Sequence, residues 1–198
     1  MVVVLLGSGS TARAVILKYC GFEFVQRPTN AKEDLPKGDY KTPEEYCDAT
    51  CLLKAQSCLE CAGYDFAIYA DTIVISPDGR IMEKPNSHRE AVEMLMAHAV
   101  NTYADVYTSV IVRGRDGTMM QKGSKSRIHF RQYQKQEVEE YLKNDDNLRE
   151  CMTGSGALTV MGTGARWLTR VDGCFYNSAG LSPAVLFGII DAWDGMGV

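Results

Sequence analysis

Apolar residues from Val2 to Leu6 open the chain. A run this short, closed by glycine, predicts a buried strand. It ends in Gly7-Ser8-Gly9-Ser10-Thr11-Ala12, and apolar residues then recur at helical spacing to about Cys20. Ser10 or Thr11 is the expected cap of that helix. Phe22 to Gln26 predicts a second short strand, and residues 27–41 a charged loop holding two prolines. Thr42-Pro43-Glu44-Glu45 is a helix start: a cap, a proline at the first position, then acids on the positive end of the dipole. That helix is expected to end near Ala62-Gly63. "DFAIYADTIVIS" is the strongest strand signal, followed by the turn Pro77-Asp78-Gly79-Arg80. Ser87 and Glu90 form a capping-box pair for a helix through about Ala99. Residues 103–132 predict two long strands around a turn at Arg113 to Gly117, and "QEVEEYLK" a helix. Residues 157–171 suggest a glycine-interrupted hairpin, and a last helix runs from near Ser182 to about Trp193. Two strand–helix units followed by hairpins predict an α/β fold with a mixed sheet, in two lobes with a cleft.

Composition narrows the class. The 198 residues are 45% hydrophobic and 23% charged, as in an ordinary globular protein. The net charge of -4 argues against nucleic acid as a partner, which calls for a basic domain. It leaves room for a small anion held by local Lys and Arg. No apolar run approaches the roughly 20 residues of a membrane span, and no basic segment precedes the first apolar run, so neither membrane nor signal peptide is expected. An odd count of seven cysteines suggests free thiols in a reducing compartment. Cys47, Cys51, Cys58 and Cys61 fall on one predicted helix, within an arc of roughly 80° but strung over about 21 Å, too far apart for one tetrahedral metal. They are expected to be structural and reduced.

The turn after the first strand is the first candidate for chemistry. Gly7-x-Gly9-x-x-Ala12 formally fits a dinucleotide fingerprint, but the next strand ends in Phe24-Val25-Gln26 with no acid to grip a ribose. No Gly-Lys-Ser/Thr follows, so this is no Walker loop. What remains is a turn of Ser hydroxyls and backbone N–H groups at a helix start, with Arg13 on its first turn, suited to a phosphate. Asp71 and Thr72 interrupt an otherwise apolar strand, and a carboxylate there has to be paired or solvated. Lys84 precedes Pro85, which biases it to an extended backbone. Lys54, on the edge of an apolar helical arc, either snorkels to water or reaches into the same cleft. Glu33 or Asp34 in the charged loop could help hold a hard divalent ion.

Taken in order, strand–"GSGS"–Arg, "LLKA", "YADTIV", "EKP", "VYTSV" and "RVDGCFYNSAGLSP" resemble the motifs of the Maf-like nucleotide pyrophosphatases, from residue 3 to about residue 187. The resemblance implies one Maf-like domain over 1–198, with a long central mixed sheet flanked by helices and two lobes about a cleft, similar to the inosine triphosphate pyrophosphatases. It implies hydrolysis of nucleoside triphosphates, dTTP, UTP or modified nucleotides, to the monophosphate and pyrophosphate. Removal of unwanted nucleotides in the cytoplasm, with Mg2+ or Mn2+, goes with that activity, and a homodimer is among the assemblies it allows. A nucleotide-binding regulatory protein with little turnover is the alternative. By resemblance Asp71, Lys84 and Lys54 are catalytic. Ser8, Ser10, Arg13, Thr72, Ala12 and Met161 bind substrate, and Glu33 and Asp71 bind metal. Asp71 acts either as general base or as metal ligand. Ala12 and Met161 stand where the family has Arg and Gln, two positions that help select the base.

Overall fold

The structure, a computed structural model, describes residues 3–57 and 63–194. The expected end of the second helix, with Cys58 and Cys61, lies outside them. Seven strands form one mixed sheet: β1 (Val4–Leu6), β2 (Phe24–Gln26), β3 (Phe66–Ile75), β4 (Ile81–Met82), β5 (Tyr103–Gly114), β6 (Met119–Phe130) and β7 (Leu168–Asp172). Their order is β2-β1-β3-β5-β6-β7, with β4 antiparallel to β3. β1 runs parallel to both β2 and β3. The helices are α1 (Thr11–Tyr19), α2 (Pro43–Ser57), α3 (His88–Asn101), α4 (Lys135–Leu142), α5 (Asp145–Thr153), α6 (Phe175–Ser178) and α7 (Pro183–Asp194). Among the described residues no helix is long and apolar enough to cross a membrane.

Local chemistry sets the helix starts. Ser10 caps α1 by accepting from the Arg13 N–H. The Thr42 hydroxyl accepts from Glu45 N at 3.2 Å ahead of α2, and Ser87 does the same for Glu90 N at 3.2 Å ahead of α3. Glu90 reaches back one residue further than a capping box requires, to Asn86 N at 2.7 Å. α3 also runs two residues past Ala99, to a stop at Thr102 in the left-handed region with φ 62°.

The expected hairpin over 157–171 is not formed. The segment makes two tight 3-10 turns, Ser155–Ala157 and Gly162–Trp167, and then enters β7, whose partner is β6. The glycines explain it. A Cβ at Gly164 would lie 2.2 Å from the Thr159 carbonyl oxygen, so this glycine closes a turn that no other residue fits.

The chain divides into two compact units, Met1–Thr72 with Thr108–Ser124 and Gly180–Val198, and Ile73–Tyr107 with Lys125–Ala179. In the first, Cys51 and Ala55 of α2 pack with Leu5, Ala67, Tyr69 and Ile111 of the sheet. In the second, Ala91, Val92 and Leu95 of α3 and Val138, Tyr141 and Leu142 of α4 close over Val106, Ile128 and Phe130.

Candidate active site

The first unit gathers most of the expected residues. β1 delivers the chain to Gly7, packed so closely that a Cβ there would meet the Tyr69 ring at 2.3 Å. The turn beyond it leads straight into α1, so Ser8, Ser10 and Arg13 share one corner. The Arg13 guanidinium donates to three acceptors: Nε to the Gly180 carbonyl at 2.8 Å, Nη1 to Ser8 Oγ at 2.8 Å and Nη2 to Thr72 Oγ1 at 2.9 Å. Thr72 shares a further hydrogen bond with the buried Thr108 hydroxyl at 3.0 Å. A guanidinium has five N–H donors, so two remain for a ligand. Ser8 Oγ accepts a second bond from Ser10 N at 3.3 Å, which occupies both its lone pairs. Among the described residues its own hydrogen meets no acceptor, and neither do the N–H groups of Gly9, Thr11 and Ala12. The corner is thus a cluster of donors at the positive end of a helix, the polarity that binds an anion.

One residue before Thr72, β3 presents Asp71, buried at 8% exposure. Lys54 of α2 meets its Oδ1 at 2.5 Å and also meets Glu33 Oε2 at 2.9 Å. Of the two fates open to Lys54, the inward one is observed. Burial pulls its pKa down, but the Asp71 charge and the hydrogen bonds to Asp71 and Glu33 outweigh that and raise it above its usual value. Lys54 is therefore an ammonium at any neutral pH. Cys47, two helical turns before Lys54, donates its thiol to Asp71 Oδ2 at 3.4 Å. Burial, then the Asp71 charge, push that thiol far up, so it stays a donor. Both loop acids are exposed, and the contact with Lys54 falls to Glu33.

Two carboxylates sharing one ammonium leave one net negative charge and hard oxygen donors, the chemistry a divalent ion such as Mg2+ selects. Among the described residues no group of three or more His, Cys, Asp or Glu could hold a metal. The donor set fits an ion that takes one or two carboxylates and completes its shell with water and phosphate oxygens.

Ala12 is half-buried on the first turn of α1. Lys84 and Met161 belong to the second unit. Lys84 is exposed, between Glu83, whose carbonyl accepts from Gly156 N at 2.7 Å, and the buried Pro85. Met161 precedes the Gly162–Trp167 turn and packs against the core of its unit. Gly180, Thr108 and Cys47 had given no signal as site residues. Gly180 and Thr108 do lie inside "NSAGLSP" and "VYTSV", and that was the one clue available for them.

The family model described as Maf-like protein matches residues 3–193. Over 186 residues the chain is 26% identical to a protein of Syntrophomonas wolfei named dTTP/UTP pyrophosphatase, covering 93% of this chain and 94% of the relative. A protein of the same name from Shouchella clausii is 31% identical over 180 residues, covering 89% and 88%. Among solved structures the chain is similar to the Ham1 protein of Staphylococcus aureus, at 10% identity and a TM-score of 0.45, over 65% of this chain and 71% of that one.

Proposed function

Because the chain belongs to the Maf-like protein family, we propose that it is a nucleoside triphosphate pyrophosphatase, releasing the nucleoside monophosphate and pyrophosphate. The names of its relatives point to dTTP and UTP as substrates. The observation that carries this reading is the Arg13–Thr72 corner abutting the Lys54–Asp71–Glu33 cluster, a set of anion donors next to a paired carboxylate.

A triphosphate repels an attacking oxygen, and catalysis is mostly offset of charge and positioning. Arg13, already fixed by three acceptors, aims its remaining donors without further ordering. The Ser8 hydroxyl and the turn N–H groups add neutral donors. Lys54 holds Asp71 by one oxygen, and Asp71 can accept a proton from water attacking the α-phosphorus or help hold a cation. Glu33 and Asp71 would hold the Mg2+ or Mn2+ that we propose as cofactor, which when bound neutralises phosphate charge. Lys84 is proposed as a further cation for the reaction. The cytoplasm is the compartment we propose for this activity, and its reducing conditions suit the buried thiols of Cys51 and Cys151.

The test is pyrophosphate release from a panel of nucleoside triphosphates with Mg2+ or Mn2+. We expect release from dTTP and UTP. Nucleotide binding without release under either metal would replace this reading with that of a nucleotide-binding regulatory protein.

A further inference from the structure

At the end of β2, where a dinucleotide site would need an acid, the chain has Gln26. β2 pairs with β1 in the register Leu6↔Gln26, and Arg27 N donates to Leu6 O at 2.9 Å. Gln26 is thereby held alongside the turn that follows β1. Its Nε2 donates to the Ser8 carbonyl at 2.8 Å and to the Ser10 carbonyl at 3.3 Å. Both partners are acceptors only, so the nitrogen of the amide has to be the atom facing them.

Two pinned carbonyls fix two peptide planes. In a trans peptide the C=O of one residue and the N–H of the next point in opposite directions, and the described peptides contain no cis bond. Drawing the Ser8 carbonyl to Gln26 turns the Gly9 N–H away from it. The Ser10 carbonyl also accepts from Ala14 N at 3.2 Å in the first turn of α1, so Gln26 and the helix together turn the Thr11 N–H away. These are two of the N–H groups that meet no acceptor among the described residues.

We propose that Gln26 is a positioning residue that aims the Gly9 and Thr11 amides at the phosphates of the substrate. The proposal rests on the pyrophosphatase reading. It predicts a binding effect, because these amides meet phosphate before and during reaction alike.

The test compares wild type with Gln26→Met, of similar length but unable to hydrogen-bond, and Gln26→Glu, of the same shape with acceptors only. Inorganic pyrophosphate is titrated by calorimetry, and kcat and KM are measured with dTTP. Gln26→Met should weaken pyrophosphate about tenfold and raise KM by a similar factor, with kcat changed by no more than about twofold. Gln26→Glu should weaken both further, since a carboxylate repels the two carbonyls. Thermal unfolding confirms that each variant is folded. Unchanged pyrophosphate affinity and KM in both variants, or a loss confined to kcat, overturns the proposal. A wild type that neither binds nor releases pyrophosphate overturns the enzymatic reading and this proposal with it, so the two failures are read in different proteins.

Discussion

Lys54 holds two carboxylates with one charge, and its replacement should show in both stability and pH dependence. Lys54→Met leaves Asp71 buried without its counter-ion, and losing one partner of a buried pair costs on the order of 3 kcal/mol. The folded pKa of Lys54 lies above the ordinary 10.5. Its contribution is therefore complete below that unfolded value and lost as pH climbs through the folded one. Urea midpoints of wild type and Lys54→Met should differ by a constant gap from pH 7 to 9, and the gap should shrink once pH climbs past the ordinary lysine value of 10.5; a gap that stays constant there would contradict the assignment. Asp71→Asn keeps the shape of the side chain and removes its basicity. Turnover should fall 100-fold or more while nucleotide affinity stays nearly intact, as read by single-turnover kinetics beside a binding titration. Near wild-type turnover would remove Asp71 from the mechanism. The sequence exposed Asp71 because a charge in an apolar strand is conspicuous. It left Glu33 and Asp34 tied, since a loop has no periodicity to say which acid turns inward. Gly180 lies 167 residues from Arg13 along the chain, and no local pattern announces a carbonyl at that distance.

Among the elements, α2 joins the core to the site. Its Cys47 and Cys51 are fully buried, and burial pushes the Cys51 thiol up to about 12. Cys151 of α5 is also buried, and its thiol is pushed up to about 11; partial burial raises the Cys20 thiol as well, but Cys20 and Cys174 are half-exposed and open to a reagent. Because the thiolate is the reactive form, iodoacetamide at pH 8 should modify Cys20 and Cys174 in the native protein. Cys47, Cys51 and Cys151 should react only after denaturant is added. Peptide mass spectrometry reads the result, and a disulfide among these five would refute it. The elements legible in the sequence are those with a cap or a period: α1, α2 and α3 by their Ser or Thr starts, β3, β5 and β6 by length. β4 and α6 have two and four residues, too few for a period to register. α5 did carry a start signal, Asn144 accepting from Asp146 and Asn147 with acids in its first turn, but it follows α4 so closely that the two merge into one polar stretch. The hairpin expected over 157–171 failed because glycine marks both bulged strands and tight turns, and only the neighbouring Thr159 backbone decides between them.

At the scale of the whole molecule, the open question is which base the protein prefers. Of the two positions that the resemblance assigns to it, Ala12 belongs to the first unit and Met161 to the second. Neither offers a strong hydrogen-bonding group, and Met161 is already engaged with the apolar core of its unit. A site discriminates strongly when a wrong base leaves a buried polar group unpaired, and weakly when there is no such group to leave. One missing reader lowers selectivity by about 1–3 kcal/mol. We therefore expect kcat/KM for UTP, dTTP, CTP, GTP and a modified triphosphate to lie within about a thousandfold of one another, with UTP and dTTP among the substrates. Met161→Gln restores an amide and should widen the spread by about tenfold. Because it also trades apolar packing for a polar group at a half-buried position, its urea midpoint should fall slightly at the same time. A wild type that prefers one base by more than about a thousandfold would mean that other residues read the base. A Met161→Gln variant that loses stability with no change in preference would make Met161 a packing residue alone.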